Sequence, residues 1–218
     1  MRIALCNEVI AAMPFERQCE YAAKLGYAGL EVAPYTLAED PAQIGGAYLV
    51  HGSPGQRRIA PGETAQLALG RAVECWASAG EAAGRAGVTY CIEPLSSDQT
   101  PLVNTLAEAV AIVQQAGLPG LRTMRDTSSA GREEKQPVAQ LIDLWFPTGC
   151  VAHVQLNDRN RQGPGQGPDK FTPVLAALKR NGYGGWLAME PFDCQPDGPG
   201  SAARAIGYVQ GILEGLEP

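Results

Sequence analysis

Histidine is scarce in this sequence of 218 residues, in which only His51 and His153 occur. Two histidines cannot build a histidine-rich zinc cluster, and the six cysteines contain no C-x-x-C pair, so a structural zinc site is not supported. Basic residues are also few, with 17 Lys and Arg against 23 Asp and Glu, which gives a net charge of -6. Because no long basic run offsets this balance, nucleic acid and anionic membranes are not expected as partners.

Long apolar runs are missing as well, and no stretch approaches the roughly 20 residues of a membrane-spanning helix. The opening segment, MRIALCNEV, indicates a strand and lacks the charged leader and apolar core of a signal peptide. The cysteines are scattered, mostly in apolar segments where a thiol behaves as a small hydrophobe. We therefore expect a single cytoplasmic domain over residues 1–218.

Short β-rich runs alternate with longer segments of helical periodicity, a rhythm typical of βα units around a parallel sheet. Seven strands are predicted, over Arg2–Cys6, Gly29–Ala33, Ala47–His51, Val88–Glu93, Leu121–Asp126, Val151–Leu156 and Trp186–Glu190. Six helices are predicted, over Phe15–Leu25, Glu63–Ala86, Thr105–Ala116, Glu134–Trp145, Phe171–Asn181 and Ala202–Leu213.

The alternation fails once, after the segment GLEVAPY, where the chain to the next strand is too short for a crossover helix. The fold class that follows is α/β, a TIM barrel that lacks one βα unit and has about seven parallel strands. A deleted unit leaves two strand edges, so we expect a seam before the strand ending at His51, shielded by a loop or by a second subunit in a homo-oligomer.

Three acids close three separate predicted strands, namely Glu93 in VTYCIEP, Asp126 in LRTMRDT and Glu190 in WLAMEPF. The carboxyl ends of parallel barrel strands converge on one mouth, where side chains from different strands meet a ligand. Each acid alone can equally cap a helix or face solvent. Three together, two of them in Glu-Pro dipeptides, favour an oxygen-rich site for a hard divalent cation.

The chain resembles the sugar phosphate isomerase/epimerase family of xylose isomerase-like TIM barrels in GYAGLEVAPY, YLVHGSP, VTYCIEPL, MRDTSSAG, AHVQLNDRNRQGPGQG and NGYGGWLAMEPFD. In that family a Glu, an Asp, a His and a second Glu hold one divalent metal. The resemblance implies that Glu93, Asp126 and Glu190 are ligands, and Gln155 is the fourth predicted ligand, at the position where the family has histidine. His153 lies two residues earlier. Mn²⁺ or Mg²⁺ is the implied cofactor, which a Gln amide oxygen can coordinate.

The resemblance also implies roles around the metal. Glu93 and Glu190 are the implied acid/base pair, and His51 and Arg161 the implied substrate contacts. Ser129 is the third implied substrate contact, at a position where the family often has a substrate-binding histidine. Glu31, in the second predicted strand, lies outside this set.

The implied function is a metal-dependent isomerase or epimerase acting on a small sugar or related polyhydroxy carbonyl compound. Two alternatives stay open: a lyase resembling keto-inositol dehydratases, and a non-catalytic sugar-binding relative whose site is degraded at Gln155 and Ser129. The family also resembles endonuclease IV-type repair enzymes. Their three-zinc cluster requires more histidines than this chain has.

Overall fold

The structure is a computed structural model that describes residues 1–39 and 45–217. The strands are β1 (Arg2–Cys6), β2 (Gly29–Glu31), β3 (Tyr48–His51), β4 (Thr89–Ile92), β5 (Leu121–Asp126), β6 (Val151–Gln155) and β7 (Trp186–Met189). The helices are α1 (Phe15–Leu25), α2 (Ala65–Ala86), α3 (Leu106–Ala116), α4 (Thr127–Glu133), α5 (Val138–Trp145), α6 (Thr172–Arg180) and α7 (Gly198–Gly215). Seven parallel strands alternating with helices confirm the predicted fold class.

The chain divides into two compact units, one formed by Met1–Gly45 with Val154–Pro218 and the other by Gly46–His153. We call them the first and the second unit. Strand β6 contributes its last two residues to the first unit and its first three to the second. The expectation of one domain over residues 1–218 stays a prediction.

The first unit pairs its parallel strands in the order β2-β1-β7-β6. In register, Ala4 of β1 lies opposite Gly29 of β2 and Ala188 of β7. Its core consists of apolar side chains from these strands and from α6 and α7, all 2% exposed or less: Leu5, Leu175, Leu178, Leu187, Met189, Ile206 and Val209. The Tyr27 hydroxyl donates to the carbonyl of Ala202, 2.8 Å away, and so ties the turn after α1 to α7.

The second unit has the strand order β6-β5-β4-β3, with α2, α3, α4 and α5 beside them. Its core is centred on α3 and the strands it covers, with Trp76, Ile92, Leu106, Val110 and Leu121 buried together. Helix α2 approaches β5 closely, because a Cβ on Gly80 would lie 2.7 Å from Cβ of Leu121. A larger residue at this crossing would push the helix off the sheet.

The helix predicted before β6 was wrong in its start, and the helix that precedes it was not predicted. The predicted helix Glu134–Trp145 begins only at Val138, directly after Pro137, and a separate helix, α4, precedes it. Proline lacks an amide hydrogen and is tolerated at a helix start but not inside, which separates the two helices. Helix α4 starts instead from Asp126, whose side chain accepts hydrogen bonds from the first-turn amides.

The link between β2 and β3 was predicted to hold no crossover helix. Its described part contains one three-residue 3-10 turn, Pro34–Thr36, while residues 40–44 lie outside the described residues. Within the described chain, β2 pairs with β1 alone and β3 with β4 alone, so each is an edge strand of its own unit. How these edges are shielded stays a prediction.

Among the described helices, none has the length and apolar character that crossing a membrane requires.

Candidate active site

The candidate residues lie at the carboxyl ends of strands, as predicted. His51, Asp126 and Gln155 are the last residues of their strands, while Glu93 and Glu190 directly follow β4 and β7. Three of the four proposed ligands are almost fully buried, with exposures of 7% for Glu93, 4% for Asp126 and 1% for Gln155. Buried polar groups of this kind require partners, because an unpaired one costs about 1 to 3 kcal/mol.

In the first unit, Gln155 is held by a residue outside the predicted set. Its Nε2 donates to Oε1 of Glu31 across 2.7 Å, so Glu31 belongs to the polar group around Gln155. The amide oxygen, Gln155 Oε1, is buried and has no hydrogen-bond partner among the described residues. The amide nitrogen of Gln155 is therefore satisfied, whereas its oxygen is not satisfied by any described residue.

Glu190 lies beside Cys6 and Glu8, which the sequence did not single out. The Cys6 thiol is 3.9 Å from Glu190 Oε1 and 3.7 Å from Glu8 Oε2, distances typical of weak sulfur hydrogen bonds. Among the described residues, one ligand atom from each of these three lies within 4.8 Å of the others, close enough to share a metal ion. Burial, reinforced by the charges of Glu190 and Glu31, raises the pKa of the Cys6 thiol and keeps it protonated.

The backbone of Glu190 is also fixed. Its amide donates to Oδ1 of Asn157, a fully buried residue 2.9 Å away, and Pro191 follows it directly. The carboxylate is therefore presented from a constrained backbone.

In the second unit, Asp126 and Ser129 are brought together. Oδ1 of Asp126 accepts the amide of Ser128 at 3.0 Å, and Oδ2 accepts both the amide and the hydroxyl of Ser129 at 3.1 Å. Burial raises the pKa of Asp126, and the hydrogen bonds from Ser128 and Ser129 oppose that rise. Asp126 is thus the N-cap of α4, and Ser129, predicted to bind substrate, contacts this carboxylate.

Glu93 and His51 share Arg57, which sequence reasoning missed. The guanidinium donates to the backbone carbonyl of Glu93 at 2.6 Å and to that of His51. Gly52 packs directly against the carboxylate, since a Cβ there would lie 1.8 Å from Glu93 Oε2. The contact of Gly52 with Glu93 joins residues 41 positions apart, so the sequence gives no local signal for it. The only hint is that Gly52 directly follows His51 in LVHGSP.

The ring of His51 has two aromatic neighbours. Its Nδ1 lies 3.3 Å from the indole nitrogen of Trp76 and within hydrogen-bonding distance of the Tyr90 hydroxyl. Burial, aided by the positive charge of Arg57, lowers the pKa of His51 to about 4. His51 is therefore neutral near pH 7 and can donate or accept a hydrogen bond without a change of charge.

Arg161 lies in the loop after β6, exposed, in the left-handed backbone region with φ of 69°. Its carbonyl accepts the amides of Phe192 and Asp193, and its guanidinium lies 4.6 Å from the centre of the Phe192 ring. Arg161 is therefore held against the segment that directly follows Glu190.

His153, the alternative histidine, is buried on β6 two residues before Gln155, with its ring 5.8 Å from that of Tyr48. The four-ligand set of Glu93, Asp126, Gln155 and Glu190 draws on both units and stays a prediction.

The sequence is similar to those of known sugar epimerases. A D-psicose 3-epimerase of Ruminiclostridium cellulolyticum is 30% identical over 122 residues, which cover 56% of this chain and 41% of the relative. A 3-dehydro-D-guloside 4-epimerase of Escherichia coli is 27% identical over 110 residues, which cover 50% of this chain and 41% of the relative. The chain thus spans less than half of the length of these curated relatives.

Among solved structures, a D-allulose 3-epimerase from Methylomonas sp. superposes with a TM-score of 0.80 at 17% identity, covering 98% of both chains. This likeness shows a shared fold. The family model described as xylose isomerase-like TIM barrel matches residues 15–211, nearly the whole chain. The chain therefore belongs to the family of xylose isomerase-like TIM barrels.

Proposed function

We propose that this protein is an epimerase of small sugars that inverts a carbon next to a carbonyl group. The observation that carries the proposal is the placement of Glu93 and Glu190 directly after strands β4 and β7, each fixed through its backbone. The two curated relatives named above are a D-psicose 3-epimerase and a 3-dehydro-D-guloside 4-epimerase, which supports a sugar as the substrate.

We further propose a divalent metal as cofactor, with Glu93, Asp126, Gln155 and Glu190 as its ligands. Three carboxylates and an amide oxygen form the all-oxygen donor set that Mn²⁺ and Mg²⁺ prefer. The buried Oε1 of Gln155, which has no hydrogen-bond partner in the described part of the chain, supports this fit, because a cation would satisfy it. When bound, such an ion polarises the carbonyl and hydroxyl oxygens of a sugar.

The two glutamates supply the proton chemistry. One carboxylate removes the proton from the carbon beside the carbonyl, and the electron pair of that C–H bond forms the double bond of an enediolate. The other, in its acid form, returns a proton to the opposite face of the same carbon. No net oxidation occurs, and configuration is inverted.

His51 and Arg161 are assigned to substrate binding. His51 is neutral near pH 7 because burial and Arg57 lower its pKa, so it can bond a sugar hydroxyl without a charge penalty. Arg161 offers several donors from an exposed position next to Phe192. Ser129 is engaged with Asp126, and its part in substrate binding is to hold that carboxylate in place.

The test is the Glu190→Gln variant, assayed with D-psicose and other ketoses in the presence of Mn²⁺. The variant keeps the shape of the side chain but cannot accept a proton, so we expect normal folding and a loss of about 100-fold or more in turnover. Glu16→Gln, an exposed change on α1 in the same unit, is the matched control and should retain full activity.

Metal content of the purified protein, before and after chelation, tests the cofactor separately. Near-normal turnover in Glu190→Gln would show that Glu190 is not the acid or base of the reaction. Saturable sugar binding without turnover in the wild type, together with failure to bind Mn²⁺ or Mg²⁺, would favour the non-catalytic alternative. Release of water from the sugar would favour the lyase.

A further inference from the structure

Gln155 and Glu31 are joined by a hydrogen bond between strands that are not neighbours. Gln155 ends β6 and Glu31 ends β2, and in the first unit β7 and β1 lie between these two strands. Their side chains nevertheless meet, with Nε2 of Gln155 2.7 Å from Oε1 of Glu31. The bond therefore crosses the face formed by the carboxyl ends of β7 and β1.

This crossing places the Gln155 amide in the same group of side chains as Glu190. Cys6 ends β1 opposite Glu31 in the strand register. Burial raises the pKa of the Cys6 thiol, and the charges of Glu190 and Glu31 add to the rise, so both carboxylates lie near it. The thiol is 3.9 Å from Oε1 of Glu190, which directly follows β7.

The charge of Glu31 decides which end of the amide faces it. A carboxylate oxygen attracts an N–H donor and repels a carbonyl oxygen, so the nitrogen of Gln155 faces Glu31 and the oxygen is turned away. Gln155 is only 1% exposed, and its Oε1 is buried without a hydrogen-bond partner among the described residues. A purely structural bond would normally leave both ends of a buried amide paired, so the open oxygen points to a ligand.

A carboxylate behind a ligand is common in metal sites. A histidine ligand usually donates its second ring N–H to a carboxylate, which fixes the ring and raises the basicity of the ligating nitrogen. An amide can use the same arrangement, because it has donors at one end and an acceptor at the other. In a low-dielectric interior, linked hydrogen bonds strengthen one another by about 10 to 30% each, and a charged partner polarises the amide further.

We propose that Glu31 is the positioning residue for Gln155 as a metal ligand. Glu31 holds the amide by its nitrogen, leaves Oε1 to the ion and strengthens that oxygen as a donor. The inference rests on the proposed function, in which Gln155 is one of four ligands of a divalent cation. A neutral amide is a weaker ligand than a carboxylate, and the charge of Glu31 compensates for this.

The test measures Mn²⁺ binding to the chelated protein by calorimetry, without any sugar. Glu31→Gln keeps the shape of the side chain and removes its charge. We expect the Mn²⁺ affinity to fall about 10- to 100-fold, the usual cost of losing the partner behind a metal ligand. Glu16→Gln, the same change at an exposed position on α1 of the first unit, should bind Mn²⁺ like the wild type. Urea unfolding checks that each variant is folded.

A double variant separates positioning from a structural role. When Glu31→Gln is combined with Gln155→Glu, the amide and the carboxylate exchange places. The amide at position 31 can donate to the carboxylate at position 155, which keeps a charged oxygen for the ion. We expect most of the lost Mn²⁺ affinity to return in this variant.

A measurement on the wild type decides the question if Glu31→Gln does not fold. The side-chain amide signal of Gln155, assigned by its absence in Gln155→Glu, is followed by NMR while Mg²⁺ is added. We expect this signal to shift and saturate with Mg²⁺. The signal of Gln66, an exposed residue on α2, should stay in place.

The possible failures are distinguishable. The inference alone is overturned if the wild type binds Mn²⁺ but Glu31→Gln binds it equally well, if Glu16→Gln loses as much affinity, or if the double variant recovers none. It is also overturned if Mg²⁺ binds and leaves the Gln155 signal in place. A wild type that binds neither ion overturns the proposed cofactor and this inference with it. None of these readouts requires turnover, so they stand apart from the test with Glu190→Gln.

Discussion

Replacing Gly52 by alanine is expected to displace the carboxylate of Glu93. The new Cβ would lie 1.8 Å from Glu93 Oε2, whereas ordinary contact begins at 3.4 Å, so the oxygen must retreat by about 1.6 Å. The oxygen is the far end of a flexible side chain and can move without the backbone. Since misplacement by about 1 Å can cost on the order of 100-fold in rate, we expect a turnover loss of about that size.

The assay compares turnover, Mn²⁺ affinity by calorimetry and urea unfolding for Gly52→Ala and Gly70→Ala. A Cβ on Gly70, within α2, would meet nothing within 4 Å, so this control should keep its activity and gain up to about 1 kcal/mol in stability from helix propensity. A folded Gly52→Ala protein with wild-type turnover and wild-type Mn²⁺ affinity would show that Glu93 does not act from this position.

Two further predictions concern stability. Folding lowers the pKa of His51 from 6.5 to about 4, so between these pH values the unfolded chain binds a proton on His51 and the folded chain does not. The free energy of unfolding should therefore fall as the pH drops from about 6.5 to about 4. His51→Gln should show a shallower decline over this window in urea titrations, and equal slopes would contradict the assignment. Glu134→Gln leaves the fully buried Arg125 without its charged partner, 3.2 Å away, and should cost about 3 kcal/mol by urea unfolding. The exposed change Glu81→Gln should cost less than about 0.5 kcal/mol, and similar losses in both would refute the reasoning.

The strands and their polar ends were predictable because both signals are local. A parallel strand appears as an apolar run, and Glu93 and Glu190 stand out as the acids that end such runs before a proline. Helix α4 escaped prediction because TSSAGRE has no apolar periodicity. Its start could nonetheless have been predicted, since Asp is a preferred N-cap residue and Asp126 directly precedes this segment.

The partners of these residues were not predictable, because the contacts join distant positions. Gln155 and Glu31 are 124 residues apart, and the thiol of Cys6 meets a carboxylate 184 residues further on. Periodicity predicts which face of a strand is buried, but not which polar group from another strand end will face it. The contact of Glu31 with Gln155, and the contacts of Arg57, which was not singled out, were therefore found only in the structure.

Both proposed acid/base residues are oriented through the main chain. Arg57 binds the carbonyl of Glu93, and Asn157 accepts the amide of Glu190. Changing either carboxylate to an amide leaves these backbone bonds intact, so such variants should report on chemistry. Changing Arg57 or Asn157 removes the bond that sets the backbone, and the carboxylate then moves with its charge unaltered. A comparison of the two kinds of variant therefore separates what the glutamates do from where the fold holds them.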